Sequence, residues 1–322
     1  MLPTKDRLTI CFAHVAYRLR ERFLERNLGI ASFQVRSLDE LERRIGEADV
    51  LAVSGLWCDG LLQHAHKLRF IQSVSAGIDQ FGVRALEARG VRLASAQGAN
   101  ERAVAEHAMA LILALTRRLP EARDNQARRH WRGMAGAIER REDELGGKTL
   151  LIVGFGRIGQ RLAGLAKAFD LRVLGIRRAP AAGGESADAI HSVDRLHELL
   201  PQADLVALTC PLTPETQGLI GAGAFRAMKP SALLINVARG RCVEEEALVE
   251  ALAAGRIAGA GLDCFSGEPL AETSALWAFD NVLITPHAAG ETRQYEDNVL
   301  DILMENLARL WAGRLPLKNQ IV

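Results

Sequence analysis

Short apolar segments alternate with helix-like segments along the first hundred residues. Apolar runs predict strands at 8–12, 50–54 and 70–74, and the pattern at 38–45 is typical of a helix. Strands that alternate with helices indicate βαβ units. We therefore expect a parallel sheet in this part of the chain.

A long helix is predicted to leave this first unit. Asn100 is a favourable N-cap, apolar residues recur at helical spacing from Val104 to Leu115, and Pro120 follows the expected end. The segment 121–144 is polar and rich in arginine, which predicts a helix and an extended connection. Its arginines fit either an anion site or a solvated face, and such a run favours the solvated face.

A second alternation of apolar strands and helices begins at Thr149. The pattern predicts helices at 156–169, 193–200 and 291–311, and strands at 149–153, 171–176, 205–208, 233–237, 259–263 and 282–284. This order is typical of a doubly wound parallel sheet.

Length and charge narrow the classes of function. The chain has 322 residues, of which 48% are hydrophobic, so it is long enough for two domains with substantial cores. Forty basic residues against 39 acidic ones leave a net charge of +1, without the strong positive field that nucleic acid or an anionic membrane selects. A small-molecule substrate is the better expectation.

The cysteines and the N-terminus indicate a compartment. The five cysteines include no C-x-x-C pair, so neither a disulfide framework nor a zinc site is predicted. The N-terminal segment is a poor secretory signal, and no apolar run approaches membrane-spanning length. We therefore expect a soluble cytoplasmic protein without a bound metal. His64 and His66 alternate as metal ligands can, but exposed surface is the favoured interpretation.

The turn that follows the strand at 149–153 carries the motif G-x-G-x-x-G and opens an apolar-periodic helix, the setting in which this motif binds a dinucleotide. Gly154 permits the tight turn, Gly156 lets the backbone approach the pyrophosphate, and Gly159 lets helix and strand pack closely. The helix N-terminal N–H groups then bind the phosphates. The predicted contacts are Gly154, Phe155, Gly156, Arg157, Ile158 and Gly159.

The next strand ends in Arg177 and Arg178, where an NAD site usually has a carboxylate for the adenosine ribose hydroxyls. Two arginines there would meet a ribose 2′-phosphate with charge-assisted hydrogen bonds. We therefore predict a preference for NADP(H), with NAD(H) as the alternative. Two solvated arginines at a strand end are the competing interpretation.

Three chemically active side chains stand beside turns that follow predicted strands: Arg239, Glu268 and His287. Reduction of a 2-oxo acid requires a cation for its carboxylate and carbonyl, and a proton donor for the oxygen. Arginine and histidine supply these functions, and a carboxylate beside the imidazole favours imidazolium and fixes the ring.

With these residues the chain resembles the D-isomer-specific 2-hydroxyacid dehydrogenase family over nearly its whole length. Besides the glycine turn, the likeness rests on several ordered motifs: 73–79 (SVSAGID), 104–108 (VAEHA), 211–216 (PLTPET), 228–240, 261–269 and 285–287 (TPH). The sequence departs from the commonest family pattern at Arg177, where many members have aspartate. Formate dehydrogenases of the family resemble it less, since they have glutamine at the position of Glu268.

The resemblance implies a role for each site residue. Arg239 would bind and polarise the oxo acid, His287 would be the general acid or base, and Glu268 would orient it. Backbone N–H groups at Ser75, Ala76 and Gly77 would hold the substrate carboxylate. Asp263 would help to orient the nicotinamide carboxamide. Further cofactor contacts are implied at Val104, Cys210, Pro211, Thr216, Val237, Ala238, Arg239, His287 and Ala289.

The resemblance also implies domains and assembly. We predict two doubly wound domains: a flavodoxin-like substrate domain of residues 1–99 plus 289–322, and a Rossmann dinucleotide-binding domain of residues 100–288. The implied assembly is a homodimer. Because the chain ends soon after the last helix, we expect no added regulatory domain such as some phosphoglycerate dehydrogenases carry.

The favoured function is reduction of a small 2-oxo acid, such as glyoxylate, hydroxypyruvate or a phenylpyruvate, to the D-2-hydroxy acid. D-3-phosphoglycerate dehydrogenase is an alternative, although we identify no additional phosphate-binding cations. A nucleotide-sensing corepressor-like protein is another, and the complete set of Arg239, Glu268 and His287 disfavours it. Two features stay secondary. His107 fits a packed or a functional role equally, while Cys210 and Cys264 fit small apolar fillers.

Overall fold

The computed structural model describes residues 2–138, 141–179 and 186–322. The chain folds into two compact units, one of residues 1–100 with 291–322 and the other of residues 101–290. Each unit contains one sheet, and every strand pair in the described part of the chain is parallel.

The sheet of the first unit has the strand order β2-β1-β3-β4-β5 among the described residues. This is the flavodoxin-like order 2-1-3-4-5 that the sequence predicts. Its strands are β1 (Thr9–Ala13), β2 (Ala31–Val35), β3 (Val50–Val53), β4 (Phe70–Ser73) and β5 (Arg92–Ala94). Its helices are α1 (Leu19–Glu25), α2 (Leu38–Arg44), α3 (Val83–Arg89) and, near the C-terminus, α10 (Tyr295–Trp311).

Side-chain alternation places a hydrophobic core on each face of this sheet. Ile10 and Phe12 join the cluster that α1 and α10 cover, whereas Cys11 and Ala13 join the cluster that α2 and α3 cover. Because both faces are covered, the central strands β1 and β3 are apolar at nearly every position, whereas the edge strand β2 is only partly buried.

Helix α10 is fastened to the sheet by buried polar side chains. Asn306 donates from Nδ2 to Oε1 of Gln72 on β4 at 3.0 Å, and both residues are fully buried. The Tyr295 hydroxyl donates to the carbonyl oxygen of Val74 at 2.5 Å. The end of β4 is therefore held by the C-terminal helix, and the turn at 75–77 follows directly from it.

The sheet of the second unit has the strand order β12-β11-β10-β9-β6-β7-β8 among the described residues. Read from β8, this is the Rossmann order 3-2-1-4-5-6 with one added strand, which confirms the predicted fold class. Its strands are β6 (Thr149–Val153), β7 (Arg172–Ile176), β8 (Ala189–His191), β9 (Leu205–Leu208), β10 (Leu233–Asn236), β11 (Gly259–Leu262) and β12 (Val282–Ile284). Its helices are α4 (Glu101–Thr116), α5 (Leu119–Ala127), α6 (Arg157–Lys167), α7 (Leu196–Leu199), α8 (Ala222–Ala227) and α9 (Glu245–Ala253).

Both faces of this second sheet are also buried. Leu150 and Ile152 belong to the core that α4 and α6 cover, and Leu151 and Val153 belong to the core on the opposite face. Strands β6 and β9 are neighbours, so the sheet order reverses between them. Ligands of doubly wound folds bind beyond the carboxyl ends of strands at such a reversal.

Two predicted helices differ from the structure for local reasons. Helix α10 begins at Tyr295, four residues later than predicted, because residues 291–294 are all polar and Tyr295 is the first to enter the core. The segment 193–200 is interrupted by 3₁₀ turns, and Pro201 cannot continue α-helical hydrogen bonding. Helix α4 ends at Thr116, so Pro120 follows its end as predicted, and Pro120 itself lies in the first turn of α5, where its missing N–H costs little.

Candidate active site

The glycine-rich turn joins β6 to α6 as the sequence predicts. Gly154 has φ of +100°, and a Cβ there would overlap the backbone of Cys210. A Cβ on Gly159 would lie 2.8 Å from the carbonyl oxygen of Gly154, so this helix residue packs directly against the turn. The Thr209 hydroxyl donates to that same carbonyl oxygen at 2.8 Å. The turn is therefore locked to the end of β9.

Gly156 differs from the other two motif glycines. It is exposed, and a Cβ on it would meet no atom within 4 Å among the described residues beyond its chain neighbours. Gly156 is the N-cap of α6, and no side chain caps the helix N–H groups there. An exposed glycine before uncapped helix N–H groups fits a pyrophosphate that approaches the backbone closely.

The remaining residues of the turn divide between core and surface. Phe155 is buried with its ring against Gly175 of β7, so only its backbone is available to a ligand. Arg157 is exposed and Ile158 is half-buried.

Arg177 and Arg178 follow β7 directly. Arg177 is half-buried and donates its backbone N–H to the carbonyl oxygen of His191 at 3.0 Å, while Arg178 is exposed. The pKa of Glu215 is lowered, first by its hydrogen bond with Thr213 and also by the charge of Arg178. The Arg178 cation therefore lies near the segment that follows β9.

The segment that follows β9 contains three predicted cofactor contacts. Thr216 donates its hydroxyl to the carbonyl oxygen of Pro211 at 2.7 Å, which closes the turn between them. Cys210 is buried with its sulfur 4.0 Å from that of Cys242, and this hydrogen bond, together with burial, raises the pKa of its thiol. Burial likewise raises the pKa of Cys264. These buried thiols behave as small core groups.

The turn after β10 presents Arg239. The buried Asn236 shapes it: its Oδ1 accepts the Ala238 N–H and its Nδ2 donates to the carbonyl oxygen of Arg239, each at 3.1 Å. Arg239 is half-buried and donates from a guanidinium nitrogen to the carbonyl oxygen of Ala238 at 2.7 Å. Val237 and Ala238 are buried beneath it. Asn236 was missed as a site-forming residue, although a polar residue at the end of the apolar strand LLIN marks it.

The Arg239 turn packs against the loop that carries Glu268. A Cβ on Gly240 would overlap the carbonyl group of Phe265. Phe265 in turn donates its N–H to Oε1 of Glu268 at 2.9 Å. The charges of Arg239 and Glu268 both act on the Cys264 thiol, with opposite effects on its pKa. The two predicted residues therefore come together in one unit.

Glu268 and His287 form a hydrogen-bonded pair. Oε2 of Glu268 lies 2.7 Å from Nδ1 of His287, and both side chains are partly exposed. A carboxylate accepts and does not donate, so the imidazole hydrogen resides on Nδ1. Nε2 of His287 has no hydrogen-bond partner among the residues that the structure describes. It is available for proton exchange with a ligand.

Asp263 lies beneath the His287 turn and is only 2% exposed. Its carboxylate accepts the backbone N–H groups of Ala288 and Ala289 at 3.0 Å each, and the Thr285 hydroxyl at 2.6 Å. His107 on α4 contacts Thr285 through Nε2 at 3.0 Å. Val104 and Ala289, two predicted cofactor contacts, are buried in the core between α4 and the sheet.

The turn after β4 belongs to the other unit. The Ser75 hydroxyl donates to the carbonyl oxygen of Gly77 at 2.9 Å and lies 2.9 Å from the hydroxyl of Ser54, and the Ser73 hydroxyl donates to the carbonyl oxygen of Ser75. The N–H groups of Ala76 and Gly77 have no acceptor within hydrogen-bond distance among the described residues. Two adjacent free donors in a half-buried turn suit an anion.

The described part of the chain offers neither a metal-binding cluster nor a membrane-spanning helix. His64 and His66 are exposed, and the described residues contain no group of three or more His, Cys, Asp or Glu side chains that could hold a metal ion. Within the same part of the chain, no helix is both long and apolar enough to cross a membrane.

Comparison with known proteins agrees with this geometry. The family description "D-isomer specific 2-hydroxyacid dehydrogenase, NAD binding domain" matches residues 109–289. A glyoxylate reductase of Aeropyrum pernix is 36% identical over 88% of this chain and 86% of that protein. A D-3-phosphoglycerate dehydrogenase of Archaeoglobus fulgidus is 36% identical over 88% of this chain and 53% of that protein. The chain thus spans about half the length of the phosphoglycerate dehydrogenases it matches.

Solved structures extend the likeness to both units. An NADPH-dependent glyoxylate/hydroxypyruvate reductase from Sinorhizobium meliloti, solved with NADP and malonate, superimposes with a TM-score of 0.80 at 27% identity. The match covers 95% of this chain and 94% of that one. The chain therefore belongs to the D-isomer specific 2-hydroxyacid dehydrogenase family.

Proposed function

We propose that this protein is an NAD(P)H-dependent reductase that converts a small 2-oxo acid into the D-2-hydroxy acid. The observation that carries the proposal is the Glu268–His287 pair at 2.7 Å, in the same unit as the Arg239 turn and the open glycine turn. A proton donor, a cation and a dinucleotide cradle together are the parts that this chemistry requires.

His287, Glu268 and Arg239 would each have a separate role in the reaction. Bound reduced nicotinamide would supply the hydride. His287 would give the proton on Nε2 to the substrate oxygen, while Glu268 accepts the Nδ1 hydrogen and stabilises the imidazolium. Arg239 would pair with the substrate carboxylate and polarise the carbonyl.

The turn after β4 and the glycine turn would hold different ligand groups. The N–H groups of Ala76 and Gly77, with Ser75, are proposed to hold the substrate carboxylate in the unit of residues 1–100 and 291–322. The unit of residues 101–290 is proposed to bind the dinucleotide, with its pyrophosphate at Gly156 and the N-terminus of α6. Asp263 retains one carboxylate lone-pair site beyond its three internal hydrogen bonds, which is available to a carboxamide donor.

The proposed nucleotide preference is NADP(H). The comparisons include both nucleotides, since the family domain is described as NAD binding and the S. meliloti reductase contains NADP. The preference therefore rests on Arg177 and Arg178, which stand where a carboxylate would select NAD(H). An exposed guanidinium at this strand end suits a 2′-phosphate.

Glyoxylate and hydroxypyruvate are the leading substrates, because two relatives of similar length are named glyoxylate reductases and the S. meliloti structure is a glyoxylate/hydroxypyruvate reductase. D-3-phosphoglycerate oxidation is a second candidate, favoured by relatives of that name with equal identity. It requires cations for the substrate phosphate in the first unit, beyond the carboxylate turn. A panel that contains both substrate types separates the two.

The homodimer is proposed from exposed apolar side chains, and the reducing compartment is proposed from the free cysteines. Trp131, Met134 and Ile138 follow α5, and their exposed fractions are 95%, 103% and 74%. Large apolar side chains exposed so close together mark an association surface. All five cysteines are free, which suits the cytoplasm. Light scattering after gel filtration measures the subunit number directly.

One assay tests the enzymatic proposal. Absorbance loss of NADPH and NADH is followed separately against glyoxylate, hydroxypyruvate, phenylpyruvate and pyruvate, and D-3-phosphoglycerate is assayed in the oxidative direction. Wild type should turn over at least one oxo acid, and His287→Ala should lose about 1,000-fold or more in kcat. Absence of turnover with every pair would overturn the proposal, and equal turnover with both nucleotides would overturn the preference.

A further inference from the structure

Asp263 brackets the proposed proton donor on both sides along the chain. Its carboxylate accepts the Thr285 hydroxyl at 2.6 Å, two residues before His287, and the N–H groups of Ala288 and Ala289 at 3.0 Å, directly after it. The Asp263 backbone is fixed as well, since its N–H donates to the carbonyl oxygen of Asn236 at 2.9 Å. A buried carboxylate with three donors is a rigid anchor.

The direction of the hydrogen bonds follows from chemistry. A carboxylate only accepts, so the Thr285 hydroxyl hydrogen is committed to Asp263. The Thr285 oxygen must then accept from Nε2 of His107, 3.0 Å away. His107 therefore donates to Thr285, and Thr285 donates to Asp263. Nε2 of His107 also lies 3.5 Å from Oδ1 of Asp263, so the imidazole is close to the same carboxylate.

His287 needs such an anchor because its backbone conformation is energetically unfavourable. Its φ is +53°, in the left-handed region that residues with a side chain rarely adopt. Its own N–H donates to the carbonyl oxygen of Thr285 at 3.0 Å, which closes a tight turn. A residue stays in this conformation only where its surroundings fix it. Asp263 supplies such contacts on both sides of His287, and Glu268 holds its ring.

We propose that Thr285 and His107 are positioning residues that act through Asp263 to hold His287 in its left-handed turn. Glu268 fixes the imidazole ring, and the His107–Thr285–Asp263 chain fixes the backbone from which that ring projects. The proposal rests on the proposed function, because the aim of Nε2 matters only where a proton is transferred. Neither residue needs to touch the substrate for this role.

Paired substitutions at Thr285 and His107 distinguish the effect of the hydrogen bond from the effect of side-chain volume. Thr285→Val removes the hydroxyl at nearly constant volume, and Thr285→Ser keeps it. His107→Leu removes the donor, and His107→Gln keeps an N–H donor on a side chain of similar reach. The valine and leucine variants should lose about 10- to 100-fold in kcat, because small displacements of a reacting group cost that much. The serine and glutamine variants should stay within about three-fold of wild type, since the hydrogen bond survives.

Two further readouts distinguish positioning from general damage. The dissociation constant for NADPH, measured by its fluorescence, should change less than kcat in Thr285→Val and His107→Leu. Amide hydrogen exchange at Ala288 and Ala289 should accelerate in Thr285→Val and not in Thr285→Ser, because their acceptor is no longer held. The exchange measurement needs no turnover, so it tests the positioning chain even if wild type reduces none of the oxo acids.

Several outcomes would contradict this positioning role. Wild-type kcat together with wild-type exchange in Thr285→Val would overturn the proposal. So would an equal loss of kcat in the serine and valine variants, or in both His107 variants, since the retained donor would then have no effect. If Thr285→Val fails to fold, the His107 pair decides by the same comparison.

Discussion

Gly240 and Phe265 are packed backbone against backbone, so closely that a single methyl group on Gly240 would overlap the Phe265 carbonyl. This contact joins two loops that come from different strands, one after β10 and one after β11. Arg239 precedes the glycine, and the Phe265 N–H holds Glu268. The spacing between the proposed substrate cation and the carboxylate of the acid–base pair is therefore set by a glycine.

Gly240→Ala should separate these two loops. Relief of the overlap requires a backbone shift, and such overpacking costs about 1–3 kcal/mol or more in the free energy of unfolding. We expect kcat to fall about 100-fold, because the cation and the acid are displaced relative to each other. Thermal unfolding and steady-state kinetics measure both effects.

The control for this substitution lies in the same loop. Among the residues that the structure describes, a Cβ on Gly267 would meet no atom within 4 Å outside its chain neighbours, so Gly267→Ala adds the same methyl group without an overlap. Its melting temperature and kcat should stay close to those of wild type. Equal losses in the two variants would show that loop flexibility, not the contact with Phe265, is what alanine disturbs.

Glu268→Gln should impair proton transfer while it keeps the local packing. A glutamine oxygen can still accept the Phe265 N–H, but its amide would then offer a hydrogen to Nδ1 of His287. The neutral imidazole would be held in the opposite tautomer, and its positive form would lose the partner charge. We expect a loss of about 100-fold or more in kcat, by analogy with other acid–base pairs in which the carboxylate is replaced.

Single-turnover reduction with saturating nucleotide is the measurement for Glu268→Gln. Glu245 offers a control in the same region, since its carboxylate accepts the Ser266 hydroxyl, not a hydrogen bond from His287. Glu245→Gln should leave kcat near that of wild type. A Glu268→Gln variant with full activity would remove the carboxylate from the proposed mechanism.

Gly156→Ala should weaken the dinucleotide without weakening the fold. Since a Cβ there would lie more than 4 Å from the described residues other than its chain neighbours, the melting temperature without nucleotide should be unchanged. The methyl group would instead occupy the space of the pyrophosphate, at a cost of about 1–3 kcal/mol, so NADPH affinity should fall about 10- to 100-fold. Gly164→Ala, on the same helix and also in open space, is the control. NADPH affinity unchanged by Gly156→Ala would place the phosphates elsewhere.

The sequence identifies several residues of this site but not the packing contacts that hold them. The glycine turn and Arg239 were found because short motifs follow recognisable apolar strands, whose ends lie at one edge of a parallel sheet. The contact of His107 with Thr285 spans 178 positions, and no periodicity links the two residues. It depends on how α4 packs across the strands. The overlap of Gly240 with Phe265 is likewise a product of packing, which explains why neither relationship was predicted.

Arg178→Gln should reduce the preference for NADPH. A charge-assisted hydrogen bond contributes about 1.5–3 kcal/mol, so the KM for NADPH should rise about 10-fold or more while that for NADH changes little. Arg172→Gln, an exposed arginine at the other end of the same strand, is the matched control. Parallel changes in both KM values would indicate that Arg178 contributes only general positive charge.

Asp204 should make stability depend on pH in a predictable direction. Its carboxylate accepts the Lys229 ammonium at 2.7 Å and the Thr149 N–H at 2.9 Å, which ties the start of β9 to β6. Burial acts to raise the pKa of Asp204, but these two hydrogen bonds outweigh it and hold the pKa below the ordinary 3.8. A lowered pKa stabilises the fold above the ordinary value and loses that effect as pH falls through the lowered one.

Asp204→Asn should therefore cost about 1–3 kcal/mol in the free energy of unfolding at neutral pH, because the charge-assisted bond to Lys229 is lost. The difference from wild type should stay constant from pH 8 to about pH 5 and shrink below the ordinary carboxyl pKa, where the wild-type carboxylate also takes up its proton. Urea unfolding at a series of pH values measures it, with the exposed Asp280→Asn as control. A difference that persists unchanged at the lowest pH would assign the loss to packing rather than to charge.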